Sequence, residues 1–110
     1  MIYALNLFNL IPGKEGVYRE YSIKAGKLIY RLRGQVICSG HKPVRYLKTD
    51  GVKRNRFIVV KFPDEDVFNK FYSPEEYKDI HRLREDSTCD YIWILFKNWD
   101  LLEWVNENTD

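Results

Sequence analysis

Apolar and polar positions alternate in blocks along this chain, and the blocks predict an ordered set of elements. Ile2–Leu10 is a nearly continuous apolar run that stops at Pro12-Gly13, and it reads as a strand. Beyond it Val17, Tyr21, Ala25, Leu28 and Leu32 recur at helical spacing, with Tyr18 and Ile29 widening the stripe. Residues 14–33 are therefore predicted as an amphipathic helix, and Gly34 follows its basic end as a C-cap glycine should. Residues 35–39 are predicted as a second strand. Residues 44–48 are read as a short strand turning at Asp50-Gly51 into Arg56–Phe62, and residues 91–96 as the strand that closes the sheet. Between the last two strands, Pro63-Asp64 starts a helix that ends near Tyr72, and Ser73-Pro74-Glu75-Glu76 opens another. That tetrad has the form of a capping box: Ser73 as N-cap, Pro74 at the first helical position, and Glu76 reaching back to the Ser73 N–H. No repeat or low-complexity stretch interrupts the series, and no span approaches membrane length.

The order strand, helix, strand, strand, helices, strand is that of an α+β, ferredoxin-like βαββαβ sandwich whose second helix is broken at Ser73-Pro74. Helices on one face of such a sheet leave the other bare, and a sheet facing water should alternate apolar with polar residues. Residues 57–62 and 91–96 do not alternate, so the second face needs a cover that the chain does not supply. A homodimer stacking sheet on sheet is the simplest answer. The domain is predicted over residues 1–97, with a C-terminal extension over 98–110. Trp99, Leu101, Leu102, Trp104 and Val105 are too apolar for a solvated terminus, so the extension is expected to pack over the barrel or on a partner subunit.

The stretch from Arg56 to Asp86 carries the most specific signal. Phe62-Pro63, the pair Phe71-Tyr72, Ser73-Pro74-Glu75-Glu76-Tyr77 and His81-Arg82-Leu83-Arg84-Glu85 follow one another there. This run resembles the C-terminal half of the family known as domain of unknown function 1330. In that family a strand, F-P, a helix with an aromatic pair, an S-P-E-Y-like cap and a helix ending in R-x-x-R or R-E recur. Leu5-Asn6-Leu7 and Tyr18-x-x-Tyr21 are similar to one branch of it, and Arg33-Gly34 stands where the family usually has a Gly-Gly pair. The resemblance implies a dimeric α+β barrel. Relatives of that architecture include cofactor-independent monooxygenases, lactone isomerases, haem enzymes and ligand-binding regulatory domains, so fold does not choose the function.

Composition narrows the field further. A chain of 110 residues with 45% hydrophobic content supports one core. Its aromatic content of 15% is high, and aromatic side chains fill cores or ligand pockets. The first residues lack a basic leader and run into Pro12-Gly13, which makes the cytoplasm the expected compartment. Cys38 and Cys89 make no disulfide framework and are expected as thiols. Cys38-x-x-His41 has metal-ligand spacing, but residues i and i+3 of a strand face opposite ways and zinc wants three or four ligands, so no metal is expected. No G-x-S-x-G, H-E-x-x-H, P-loop or dinucleotide glycine pattern occurs, and no cofactor is expected. Residues 42–61 hold Lys42, Arg45, Lys48, Lys53, Arg54, Arg56 and Lys61 against Asp50 alone. Such a footprint is weak for nucleic acid, because only Tyr46 and Phe57 are interleaved for stacking, and basic residues also protect sheet edges. Neither nucleic acid nor a membrane is an expected partner.

Tyr77, His81 and Arg84 share one helix face by their spacing. In the superfamily the small-molecule cleft lies between helices and sheet, and the resemblance implies that these three could line it beside Tyr21 and Asn6. His81 could move a proton, Arg84 could hold a carboxylate or enolate, and the tyrosines could orient an aromatic substrate. Against this, charged residues on helices are usually solvated. The favoured reading of His81 and Arg84 is therefore a surface pair near Asp79, Glu85 or Asp86, with the tyrosines in the core. Asn6, inside an apolar strand, is expected to be hydrogen-bonded within the protein more readily than to a ligand. Two functions follow: a non-catalytic ligand-binding or interaction module, which is preferred, and a small cofactor-independent enzyme, monooxygenase- or isomerase-like, acting on an aromatic or carbonyl compound.

Overall fold

The computed structural model describes residues 1–107. The elements are β1 (Ile2–Leu10), α1 (Glu15–Arg31), β2 (Gln35–His41), β3 (Arg56–Phe62), α2 (Glu65–Tyr72), a 3-10 turn (Glu75–Tyr77), α3 (Lys78–Ser87), β4 (Thr88–Lys97) and α4 (Leu101–Glu107). The four strands form one sheet in the order β2-β3-β1-β4, with every neighbouring pair antiparallel. This is the α+β, ferredoxin-like arrangement anticipated from the element order.

The pleat sorts each strand into two faces. On one face Ala4 and Phe8 of β1, Val60 and Phe62 of β3, and Trp93 and Leu95 of β4 lie toward α1, α2 and α3. Phe62 is 1% exposed, meets Phe68 edge-on at 5.3 Å and stacks on Phe71 at 6.1 Å. On the other face the register sets apolar side chains in rows across three strands. Val59, Leu5 and Ile94 form one row, Phe57, Leu7 and Ile92 the next. Among the described residues no helix buries these rows, and Ile94 and Phe96 remain 43% and 47% exposed.

Local chemistry accounts for the helix boundaries. Asp64 is the N-cap of α2, its carboxylate accepting from the Val67 N–H at 2.8 Å. At the end of α1 the Gly34 N–H reaches the Ile29 carbonyl at 2.8 Å and the Arg33 N–H reaches that of Tyr30, a Schellman closure. The left-handed residue there is Arg33, at φ 65°, not the predicted Gly34. Gly34 is needed for space: a Cβ would stand 2.7 Å from the Ile29 side chain and 3.1 Å from the Phe62 ring. Gly26, exposed in mid-α1, has no such reason, because a Cβ there meets nothing within 4 Å.

Two further expectations are overturned. Residues 44–48 form no strand; they belong to the irregular connection between β2 and β3. Both edges of β3 are already paired, one with β1 and one with β2, so no ladder is open to them there. The segment is held by local bonds instead, Tyr46 donating to the Arg54 carbonyl and Arg54 pairing with Asp50. The capping box at Ser73 does not form either. Ser73 lies in the right-handed helical region and its N–H bonds to the Asn69 carbonyl, so it ends α2. An N-cap needs extended backbone, and that role passes to Pro74, at ψ 134°.

Every described residue of α4 is exposed, so residues 98–107 are not buried against the body of their own protomer. Its Trp99 and Trp104 rings meet edge-on at 5.5 Å. The last three residues of the predicted extension lie outside those described. Among the described residues no helix is long and apolar enough to cross a membrane.

Candidate functional site

A cavity of about 150 Å³ lies between α1 and the inner face of the sheet. Its floor is built by alternate residues of adjacent strands, Ala4 and Asn6 of β1, Ile58 and Val60 of β3, Tyr91 and Trp93 of β4. The register explains the convergence, because Asn6 is paired across the sheet with Ile58 on one side and Trp93 on the other. Tyr18, Tyr21 and Ala25 of α1 form the roof, one helical turn apart. Ser22 and Gly26 of α1 and Val36 and Ser39 of β2 are the exposed members of the lining, which puts the mouth between α1 and the edge strand.

Of the predicted site residues, Asn6 and Tyr21 line this cavity. Asn6 is 6% exposed and held on all sides: its amide donates to the Ala4 and Ile58 carbonyls, and its oxygen accepts from Tyr91 Oη at 2.7 Å. The expected internal hydrogen bonds of Asn6 are therefore present. Tyr18, Tyr91 and Trp93 complete the site without having been singled out as candidates. Tyr91 and Trp93 were readable as a period-2 aromatic pair in β4, separated by the aliphatic Ile92. Tyr18 Oη and Trp93 Nε1 are buried and have no hydrogen-bond partner among the described residues. Each such atom costs about 1–3 kcal/mol when left unsatisfied.

His81 and Arg84 are buried, at 8% and 7% exposure, which overturns their expected place at the surface, although Arg84 keeps a 3.7 Å contact with Glu85. The reason is aromatic packing. The Arg84 guanidinium stands 4.5 Å from the Trp93 ring, 5.6 Å from Tyr91 and 5.9 Å from Tyr21, so cation–π attraction replaces part of its lost hydration. Arg84 Nη1 donates to His81 Nδ1 at 2.9 Å, and His81 Nε2–H donates to the Phe71 carbonyl at 2.9 Å. The two side chains back the rings of the cavity wall without lining the cavity. They face instead a second groove of about 460 Å³, at the α2–α3 break, with Ser73, Lys78, Arg82 and Glu85. Tyr77 packs against the core and lines neither space. Four of the five candidates thus divide between two places, and Tyr77 lies at neither.

Protonation states follow from burial. Burial raises Tyr18, Tyr21 and Tyr91 above the ordinary tyrosine value, so all three are neutral phenols near pH 7. Burial holds His81 below its ordinary 6.5, and the Arg84 charge pushes the same way, against the Phe71 carbonyl and Glu85. The unfolded chain therefore takes up this proton at a higher pH than the folded one. Stability from the neutral imidazole is fully present above about pH 6.5 and drains as pH falls through the lower folded value. A pH series of melting curves should show this loss in the wild type and a flatter profile in His81→Gln. Identical profiles would mean that the imidazole titrates normally. Among the described residues no group of three or more His, Cys, Asp or Glu could hold a metal ion.

Solved structures with this fold include a protein of unknown function from Rhodopseudomonas palustris, at TM-score 0.76 and 20% identity, covering 90% of this chain and 82% of that one. A dimeric ferredoxin-like protein of unknown function from a Jannaschia species matches at TM-score 0.66 and 13% identity, over 88% and 98% of the two chains. SnoaB, a cofactor-independent oxygenase from Streptomyces nogalater, matches at TM-score 0.60 and 12% identity, over 90% and 93%. No curated protein matches the chain. The family pattern described as domain of unknown function (DUF1330) matches residues 7–97, which takes in the end of β1, all of β2, β3 and β4, and the groove, and leaves Ala4 and Asn6 of the cavity floor just outside it. The chain belongs to that family.

Proposed function

We propose that the protein is a homodimeric binding module that takes a small aromatic molecule between α1 and the sheet, in the cytoplasm. The carrying observation is the cavity itself, with aliphatic and aromatic walls and two buried donors, Tyr18 Oη–H and Trp93 Nε1–H, without partners. Its volume of about 150 Å³ suits one ring, since an apolar cavity of about that size takes benzene. A ring bearing one or two acceptor groups would meet the walls and satisfy the donors together. Two exposed free thiols, Cys38 and Cys89, suit a reducing compartment.

Catalysis is less well supported. Both nitrogens of His81 are engaged, and the tyrosines of the cavity wall stay protonated, so none of these groups offers a free base. Likeness to an oxygenase at 12% identity speaks to fold alone.

Gly26→Leu provides the test. The substitution adds a side chain in open space at the cavity mouth and should stabilise α1 by about 0.5–1 kcal/mol while weakening the uptake of single-ring aromatics. Thermal shifts with a panel of such compounds should be positive for the wild type and reduced in Gly26→Leu. A panel that shifts neither protein would remove this reading.

The dimer is argued from the uncovered rows of apolar side chains on the outer sheet face, and the Jannaschia relative is described as dimeric. The exposed apolar residues Trp99, Leu101 and Leu102 of the extension support a place for it on the partner subunit, where they would lose their exposure. Deletion after Lys97 should weaken dimerisation, read by sedimentation. An unchanged dissociation constant would place the extension elsewhere.

A further inference from the structure

We propose that the groove at the α2–α3 break is a second binding site, for a small carboxylate anchored by Arg84. Arg84 is only 7% exposed, yet its hydrogen-bond partners are neutral groups, the His81 imidazole at 2.9 Å and the Tyr21 phenol. Its one ion pair among the described residues is a loose 3.7 Å contact with Glu85, whose side chain is 69% exposed. A buried cation costs several kcal/mol unless an anion or good hydrogen bonds compensate it, and the surrounding ring faces offset only part of that. Arg84 also presents a planar fork of donors, which matches a carboxylate in two parallel bonds.

The groove has the composition to receive such a group. Lys78, Arg82 and Arg84 stand against Glu75 and Glu85, an excess of one positive charge that a monoanion balances. The Ser73 hydroxyl lies on the same wall. His81 has a defined part in this site as a positioning residue: by accepting from Arg84 Nη1 it fixes the plane of the guanidinium and leaves the remaining N–H groups for a ligand. Because Arg84 also lies against Tyr21, Tyr91 and Trp93, it touches both the groove and the rings of the cavity wall.

Acetate is the probe, titrated against isotope-labelled protein by NMR at constant ionic strength, with chloride as the control. Saturable shifts at Ser73, Lys78, His81 and the Arg84 Nε–H, with none at Ser22 or Gly26 of the cavity mouth, are expected. Arg84→Met, which keeps the packed stem, should weaken binding about tenfold or more. If that variant does not fold, Glu85→Gln replaces it, and loss of the competing carboxylate should tighten acetate binding. Shifts that stay linear and match chloride would overturn the proposal. So would unaltered binding in Arg84→Met, or in Glu85→Gln where that variant stands in. Failure here leaves the aromatic cavity untouched, since its probes and its variant read a different set of residues.

Discussion

Replacing Phe62 by alanine is expected to cost the fold about 3–5 kcal/mol, the range for truncating a fully buried phenylalanine. Phe62 is 1% exposed and lies where the end of β3 meets α2, in contact with the rings of Phe68 and Phe71. It also packs against Gly34, so its removal loosens the closure of α1 as well. A domain of this size has about 5–15 kcal/mol in total, so the loss is a large part of its stability. Urea unfolding should show a lower midpoint with an unchanged slope. A midpoint within error of the wild type would mean that the ring cluster is not the centre of the core.

The second large effect is expected from Ile94→Glu. Ile94 lies in the row with Leu5 and Val59 on the outer face of the sheet, 43% exposed in the protomer. In the proposed dimer a glutamate there would be buried without a partner, at a cost of about 3–5 kcal/mol. That is on the order of a hundredfold or more in the dissociation constant. Sedimentation should find a folded monomer at micromolar concentration. Val60→Glu is the contrast: Val60 is 6% exposed beneath the helices, so that charge should unfold the protomer instead of dividing the dimer. A stable dimer of Ile94→Glu would move the interface to another surface.

Elements whose residues match their own surroundings were legible in the sequence. Ile2–Leu10, the α1 stripe and Arg56–Phe62 carry continuous or periodic apolar patterns, and the structure keeps their bounds within a few residues. The errors arise where a local signal competes with a neighbour. The pattern at residues 44–48 suits a strand, but strand pairing depends on an open edge, and sequence spacing does not reveal that β2 and β1 occupy both edges of β3. Ser73 has the residue type of an N-cap, yet the same backbone N–H is used to finish α2.

The candidate site was legible in part for a similar reason. Helical spacing put Tyr77, His81 and Arg84 on one face; His81 and Arg84 do lie together on α3, next to the apolar stripe of Ile80 and Leu83, whereas Tyr77 belongs to the 3-10 turn before it. Which way that face turns depends on Trp93 and Tyr91, contributed by β4. The usual solvation of charged helical residues fails here because three aromatic rings and an imidazole receive the guanidinium. The division into a cavity and a groove also lay beyond the spacing, since it is set by where the rings of Tyr21, Tyr91 and Trp93 stand between them.

Native mass spectrometry of the protein purified from its source tests the central claim most directly. The account predicts a dimer that carries a retained mass of single-ring size, which Gly26→Leu releases. A bare polypeptide mass, in protein that also fails to retain any single-ring aromatic added to it, would contradict the account.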